Sequence, residues 1–448
     1  MPCLRARAVA AVALVATATL APAGRCRGET PPVAALTAQL AGRHCRWRAE
    51  GDRCTAAPLV ALDLVFRPRR HSCVYWAARC LERLGPDAAA AVPALIATLR
   101  DGPNDFDTGD GTIDARSAVA RALAATGDPV AVPALVHALE HARPYDRAAI
   151  SGAIASGQPA ARPAIIAALA SFGGVAHAAA PALAAVLAER NADTGFNRDA
   201  AARLAELEAF FPPVPGQPRR LYFNDQLADA AAAALGTVGA TEEVPLLIAT
   251  LDNHGAARGA AEGLGKLGAA AGPAAPRLRA ILASPEYQAD AKVAAAQALV
   301  AIGDVAAVPA IAAGLESAEL VDGYLAALAA CGPAGEPAVT ALAAIANAPS
   351  GMVRDGRRIT FDARASQIHH RRLRAVDALG SIGSERAFAV LADVLPDCEV
   401  GPAACRALRR LDPEGGRVRA VVSRLTEREL AAYREARWQL NPCLDCRP

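Results

Sequence analysis

An all-α fold, an α/α superhelix of about ten helix pairs with loop insertions, is what this 448-residue sequence predicts. Three observations predict it. A nine-residue stretch with a fixed proline recurs as AVPALIATL (Ala91–Leu99), AVPALVHAL (Ala131–Leu139), AAPALAAVL (Ala179–Leu187), EVPLLIATL (Glu243–Leu251), AAPRLRAIL (Ala274–Leu282) and AVPAIAAGL (Ala307–Leu315). Upstream of it recurs an amphipathic stretch ending on glycine, as in ARALAATG (Ala120–Gly127), AQALVAIG (Ala296–Gly303) and VDALGSIG (Val376–Gly383). The composition agrees: hydrophobic residues make up 53% and aromatic ones 4%, and small apolar side chains suit closely stacked helices better than one large core.

One unit is therefore a helix A, a glycine turn and a helix B, with a period of about 30 residues. Glycine just past helix A can take the left-handed conformation that closes it. Asp128 and Asp304 follow the glycine as candidate N-caps. The proline then falls in the first turn of helix B, where its missing N–H costs nothing. Pro245, Pro276, Pro309 and Pro337 step at close to this period. Pro181 to Pro245 spans about two periods, with a helix expected at Arg198–Phe211 between them. Pro163 to Pro181 is too short for a full unit, so Tyr145–Ser156 is paired with Ala160–Ser171, and Ala179–Arg190 with Arg198–Phe211. Pro32–Ala41 and Ala56–Phe66 read as a degenerate first repeat, and Ala403–Leu411 with Gly416–Leu425 as the last pair. Thr426–Trp438 is expected to close the stack, with Thr426 and Glu429 forming a capping box.

Val119–Leu139 (VARALAATGDPVAVPALVHAL) and Ala294–Leu315 (AAAQALVAIGDVAAVPAIAAGL) resemble the PBS-lyase HEAT-like repeat, a short form of the HEAT repeat. The resemblance covers most of the chain after Cys73. It implies a right-handed stack of antiparallel helix pairs that serves as a binding scaffold. The chain then divides into a signal peptide at 1–23, a cysteine-containing cap at 24–72, the repeat solenoid at 73–425, and a capping helix with a CxxC tail at 426–448.

The leader carries Arg5 and Arg7, an apolar run Ala8–Leu20 and the small-residue site Ala21-Pro22-Ala23, the pattern of an export signal. Export to the periplasm or the cell exterior is expected, with an uncleaved anchor as the alternative; no later segment reads as a membrane span. Net charge is +2, and loss of the two leader arginines leaves the chain neutral, which excludes an overall footprint for nucleic acid. Basic clusters at Arg43–Arg53, Arg67–His71 and Arg406–Arg419 read as solvated faces near the two ends.

Export also admits disulfides. Cys73 and Cys80 would share a helix about 10 Å apart, beyond bonding reach. Cys45–Cys54 and Cys443–Cys446 are the candidate pairs, staples for the terminal repeats. Cys331 fills the slot of Ile302 and Ile382 and reads as a small buried hydrophobe.

Three inserts interrupt the repeat, at 101–114, 191–225 and 348–367, and inserts at equivalent places emerge on one edge of a solenoid. The second holds PRRLYF and the third GRRITF, each reading as a short strand; Asp355-Gly356 marks a hairpin within Met352–Phe361. Arginine and aromatic residues anchor interfaces, so Arg219, Arg220, Tyr222, Phe223, Arg357, Arg358 and Phe361 are candidate contacts to a protein partner. His369 and His370, at the entry to the next helix, are added to that set. The first insert crowds Asp105, Asp107 and Asp110 into a glycine-containing loop, a solvated acidic loop or a possible calcium site, although its spacing misses the EF-hand pattern.

Two motifs read as packing or surface rather than chemistry. Gly263–Gly268 matches G-x-G-x-x-G, but no strand precedes it and the glycines fall at the end of a helix A. His137–His141 matches H-x-x-E-H with both histidines turned to solvent and no third ligand evident, an exposed polar face with zinc as the alternative. With no cofactor implied, the expectation is an exported, non-catalytic scaffold for protein–protein interaction. The alternatives are a bilin-lyase-like enzyme or chaperone, as the resemblance suggests, and a calcium-dependent surface protein.

Overall fold

Consecutive helices pack in A–B pairs, as the repeat predicts. The computed structural model describes residues 32–41, 47–50, 53–56, 70–101, 106–107, 112–113, 115–141, 161–192, 225–349, 353–355, 358–360, 363–397, 399–426 and 430. The chain forms two compact units: residues 1–128 with 146–159, and residues 129–145 with 160–448.

In the first unit helix Arg70–Leu84 is central, packed by Val33–Leu40 and by Ala115–Thr126. The side chain of Gln39, fully buried, donates to the Cys73 carbonyl at 3.1 Å, so its burial leaves that donor satisfied. An unexpected antiparallel ribbon, Trp47–Glu50 with Arg53–Ala56, also packs on the central helix. Its register sets Ala49, not a cysteine, opposite Cys54, and the Cys54 sulfur is bonded to Cys80, with Cα atoms 5.8 Å apart. The Cys45–Cys54 pairing is therefore corrected: the strand is stapled to the helix beneath it. Cys73 and Cys405 are also disulfide-bonded. Cys45, Cys443, Cys446 and the expected helix Ala56–Phe66 lie outside the described residues.

The second unit repeats one geometry. Gly303 closes helix Ala289–Ile302 at φ +88°, a conformation an L side chain rarely adopts. A 3-10 turn Val305–Ala307 follows, and Pro309 stands in the first turn of helix Val308–Ala313. Asp304 makes no capping bond; its carboxylate lies 3.5 Å from Arg279, because the chain enters a 3-10 turn before the helix. Gly173 does for Ala161–Ser171 what Gly303 does for its helix, with φ +56°, a 3-10 turn Gly173–Ala179 and then helix Ala180–Ala192. That corrects the pairing: Ala161–Ser171 is a helix A with Ala180–Ala192 as its helix B, and a seven-residue turn makes the 18-residue proline spacing sufficient. Tyr145–Ser156 and Arg198–Phe211 lie outside the described residues.

The A helices stack on one another: Gln226–Thr237 on Ala257–Leu267, then Ala289–Ile302, Val321–Ala330, Ala363–Ile382 and Gly401–Leu411. Leucines fill the seams; Leu235, Leu264, Leu299, Leu325, Leu379 and Leu408 are all fully buried, and truncating one such side chain costs about 2–5 kcal/mol. In the first of these contacts the glycines explain the G-x-G-x-x-G match. A Cβ at Gly259 or Gly263 would collide with the backbone of Asp229 or Ala232, and one at Gly236 with Gly263. A Cβ added at Gly265 would come within 3.3 Å of the Ala298 Cβ, and Gly268 closes the helix at φ +57°. The motif is a packing seam. Asp229 is buried within it, accepting from the Gly259 N–H at 2.5 Å and paired with Arg258. Burial pushes its carboxyl above the ordinary carboxylate range, with Arg258 and the Gly259 N–H acting against that shift.

Cys331 is a free thiol, half-buried rather than fully buried, and its burial raises its pKa. At the C-terminal end Gly416–Arg424 is helical as expected, and the Leu430 N–H donates to the Thr426 carbonyl at 3.1 Å; the rest of the expected helix Thr426–Trp438 lies outside the described residues.

Candidate functional site

The inserts are the places where the chain leaves the repeat, and their roots are well described. Arg190 and Asp225, at the two ends of the second insert, form an ion pair at 2.9 Å with side chains 10% and 5% exposed. The other oxygen of Asp225 accepts from the Ala228 N–H at 3.1 Å, capping helix Gln226–Thr237. Asn191 donates to the Thr250 hydroxyl at 2.8 Å, tying the exit of helix Ala180–Ala192 to helix Val244–Thr250. The insert thus starts and ends at one clamped point. Its expected contacts Arg219, Arg220, Tyr222 and Phe223 lie outside the described residues.

The third insert contains the expected hairpin, Val353–Asp355 paired antiparallel with Arg358–Thr360. Asp355 is opposite Arg358, so two residues make the turn. Arg357 and Phe361 lie outside the described residues, and Arg358 is placed only as a strand residue. Helix Ala363–Ile382 follows and separates the two histidines. His370 is exposed, with Nδ1 2.7 Å from the Ser366 carbonyl, whereas His369 points inward, with Nδ1 3.5 Å from the Glu399 carboxylate. Adjacent residues on a helix point about 100° apart, so the two side chains meet different surroundings.

Further along the same helix Arg372, 2% exposed, donates to the Ala346 carbonyl at 2.9 Å, to Glu399 at 2.8 Å and to Asp397. Glu399 is 1% exposed, so two fully buried charges face one another with their hydrogen bonds in place. Such a pair adds little net stability, but removing one partner leaves the other uncompensated. The cluster therefore holds the root of the third insert to the last repeats.

Beside it opens a groove of 720 Å³, within the range of small-molecule sites. Ala312, Leu315, Val321, Ala341, Ile345 and Ile368 form an apolar floor, and Glu316 and Arg371 supply charge. Arg371 is held at the rim by Asp322 at 3.0 Å and the Ala318 carbonyl at 3.2 Å. Apolar floor and charged edge together suit an amphiphilic ligand. The sequence reading missed this groove because its residues occupy ordinary repeat positions. One signal was present: Gly314 stands where the sister stretch has Thr98, and there helix Val308–Ala313 gives way to a 3-10 turn, Gly314–Glu316.

The H-x-x-E-H stretch lies on helix Val132–Glu140, whose buried Leu135 and Leu139 turn both histidines outward as expected. Asp105 and Asp110 lie outside the described residues, and Asp107 is placed only in the short ribbon opposite Thr112. Nothing supports the calcium expectation at the three aspartates.

The repeat geometry has a counterpart among known families. The model of the PBS lyase HEAT-like repeat matches residues 115–141, 291–317 and 371–395. The chain is a HEAT-like repeat protein. Within the second unit, the latter two matches each run from a helix A through its turn into helix B. A solved chain of similar fold comes from "The structure of the complex of CpcE and CpcF of phycocyanin lyase from Nostoc sp. PCC7120", at 24% identity, 72% coverage of this chain, 98% of that one, and a TM-score of 0.35. That degree of likeness carries no argument about activity. No curated protein matches the chain.

The repeat match nevertheless corrects two expectations. A non-catalytic scaffold, and with it the exclusion of an enzyme, gives way to the lyase-like alternative, because the matched repeat is the one described for PBS lyases. Among the described residues no helix is long and apolar enough to cross a membrane.

Proposed function

We propose that this HEAT-like repeat protein acts as a bilin-lyase-like enzyme or bilin chaperone, holding a linear tetrapyrrole and an acceptor protein for their union. The match to PBS lyase HEAT-like repeats at three separate segments carries the reading. The groove supports it chemically. A tetrapyrrole is largely apolar with ionised carboxylates, and the groove combines an apolar floor with Arg371 at its edge. The acceptor would be a protein partner, met by the inserts through Arg219, Arg220, Tyr222, Phe223, Arg357, Arg358 and Phe361. We also infer export from the leader at 1–23, which would place that acceptor outside the cytoplasm; fractionation and N-terminal sequencing of the mature chain test this.

Co-expression with a bilin and a candidate acceptor, read by absorbance of the denatured acceptor, tests the function. Coloured acceptor should rise well above that formed without this chain. Ala344→Trp, at an exposed position lining the groove, should lower it about tenfold by filling the site. Equal colour with and without the chain, across acceptors, would refute the reading.

A further inference from the structure

The structure brings the glutamate of the H-x-x-E-H stretch together with its two histidines. His137, Glu140 and His141 are all exposed, and their ligand atoms lie within 4.8 Å of one another. The two imidazole rings are 4.0 Å apart between centroids. The His137 carbonyl accepts from the backbone N–H of His141 at 3.1 Å and lies 2.9 Å from its Nδ1. A carbonyl only accepts, so Nδ1 of His141 carries the hydrogen and the Nε2 lone pair points outward, the second-shell arrangement typical of metal-binding histidines.

The platform is firm. Leu135 and Leu139 are fully buried, and the helix packs against Ala161–Ser171 and the turn Gly173–Ala179. The repeat does not require these polar residues, since the sister stretch has Ala97 in the place of His137. Because the cluster closes the C-terminal turn of Val132–Glu140, the unpaired carbonyl ends of that helix favour a cation there.

We propose that His137, Glu140 and His141 bind a zinc ion. Zinc takes imidazole nitrogen and carboxylate oxygen at about 2.0–2.2 Å, so tetrahedral neighbours stand about 3.3 Å apart. Rotation of three exposed side chains closes the present spacing. Two neutral imidazoles and one carboxylate leave a single positive charge and an open fourth position, for water or a partner's side chain. The site stands independently of the lyase-like reading.

Calorimetric titration of the full-length oxidised protein with zinc chloride tests it. The wild type should take up one equivalent that His137→Gln/His141→Gln loses, and Glu140→Gln should weaken binding about tenfold. Cobalt(II) bound in its place should show ligand-field bands without a thiolate charge-transfer band, separating this site from the cysteines. Melting in EDTA checks that the double variant folds; if it does not, His141→Gln alone should show the same loss. Unchanged uptake in the histidine variants, no uptake by the wild type, or a cobalt–thiolate band would overturn the proposal.

Discussion

Two contacts between neighbouring A helices in the second unit solve one problem by opposite means. Gln226–Thr237 and Ala257–Leu267 approach until no Cβ fits at Gly236, Gly259 or Gly263. Ala363–Ile382 and Gly401–Leu411 are also close at one end, where a Cβ on Gly380 would meet that of Ala407 at 2.9 Å. Toward its N-terminal half, however, the long helix carries the buried Arg372 with Glu399 and Asp397. The glycine seam sets the spacing of the repeat through close backbone approach, with the buried Asp229 accepting from the Gly259 N–H across it. The ionic cluster fixes the root of an insert, where hydrogen bonds specify a geometry that interchangeable apolar contacts leave loose.

The largest expected effect breaks the second contact. Arg372→Met leaves Glu399 and Asp397 without their cation and should cost about 3–5 kcal/mol in urea unfolding, most of it recovered when Glu399 is also made apolar. Gly259→Ala attacks the first contact. Its methyl group meets the Asp229 backbone, so a loss of about 1–3 kcal/mol is expected from the midpoint shift at constant slope.

Tyr324 lies on helix Val321–Ala330, which packs both on Ala289–Ile302 and on Ala363–Ile382, and burial pushes its phenol to about 12. The folded state keeps this proton above pH 10, where the unfolded chain loses it. Its contribution is therefore full below pH 10 and lost as the pH rises toward 12. Relative to wild type, Tyr324→Phe should remove an alkaline loss on the order of 2 kcal/mol, read as the difference between the two pH profiles. The smallest effect belongs to the surface: Glu385→Ala breaks a 2.6 Å pair with Arg417, yet both side chains are largely exposed and less than about 1 kcal/mol should follow. A larger loss there would erase the distinction between buried and surface charge on which the comparison rests.

The helix pairs were legible because each repeats the same local demands. Glycine with φ +68° at Gly127 and +88° at Gly303, and proline in the turn after, are properties of a few consecutive residues. The hairpin at Val353–Thr360 was legible for the same reason, since Asp355-Gly356 signals a tight turn. Other features involve partners remote in sequence. Cys54 finds Cys80 because a ribbon packs on a helix 26 residues away, and the pattern around Cys45 carried no trace of that ribbon. His369 and His370 look equivalent in sequence and are separated by the helix that carries them.

What the sequence determined by itself is the unit: which residues end helix A, where proline starts helix B, and where inserts interrupt the count. Those are local questions of backbone conformation and side-chain periodicity, answered within one turn of chain. Tertiary structure alone decided which disulfide staples the first unit, how Arg372 is neutralised, and that ordinary repeat positions line a groove. Each of these depends on distances between residues, and in a stack those distances are set by how closely neighbouring helices pack.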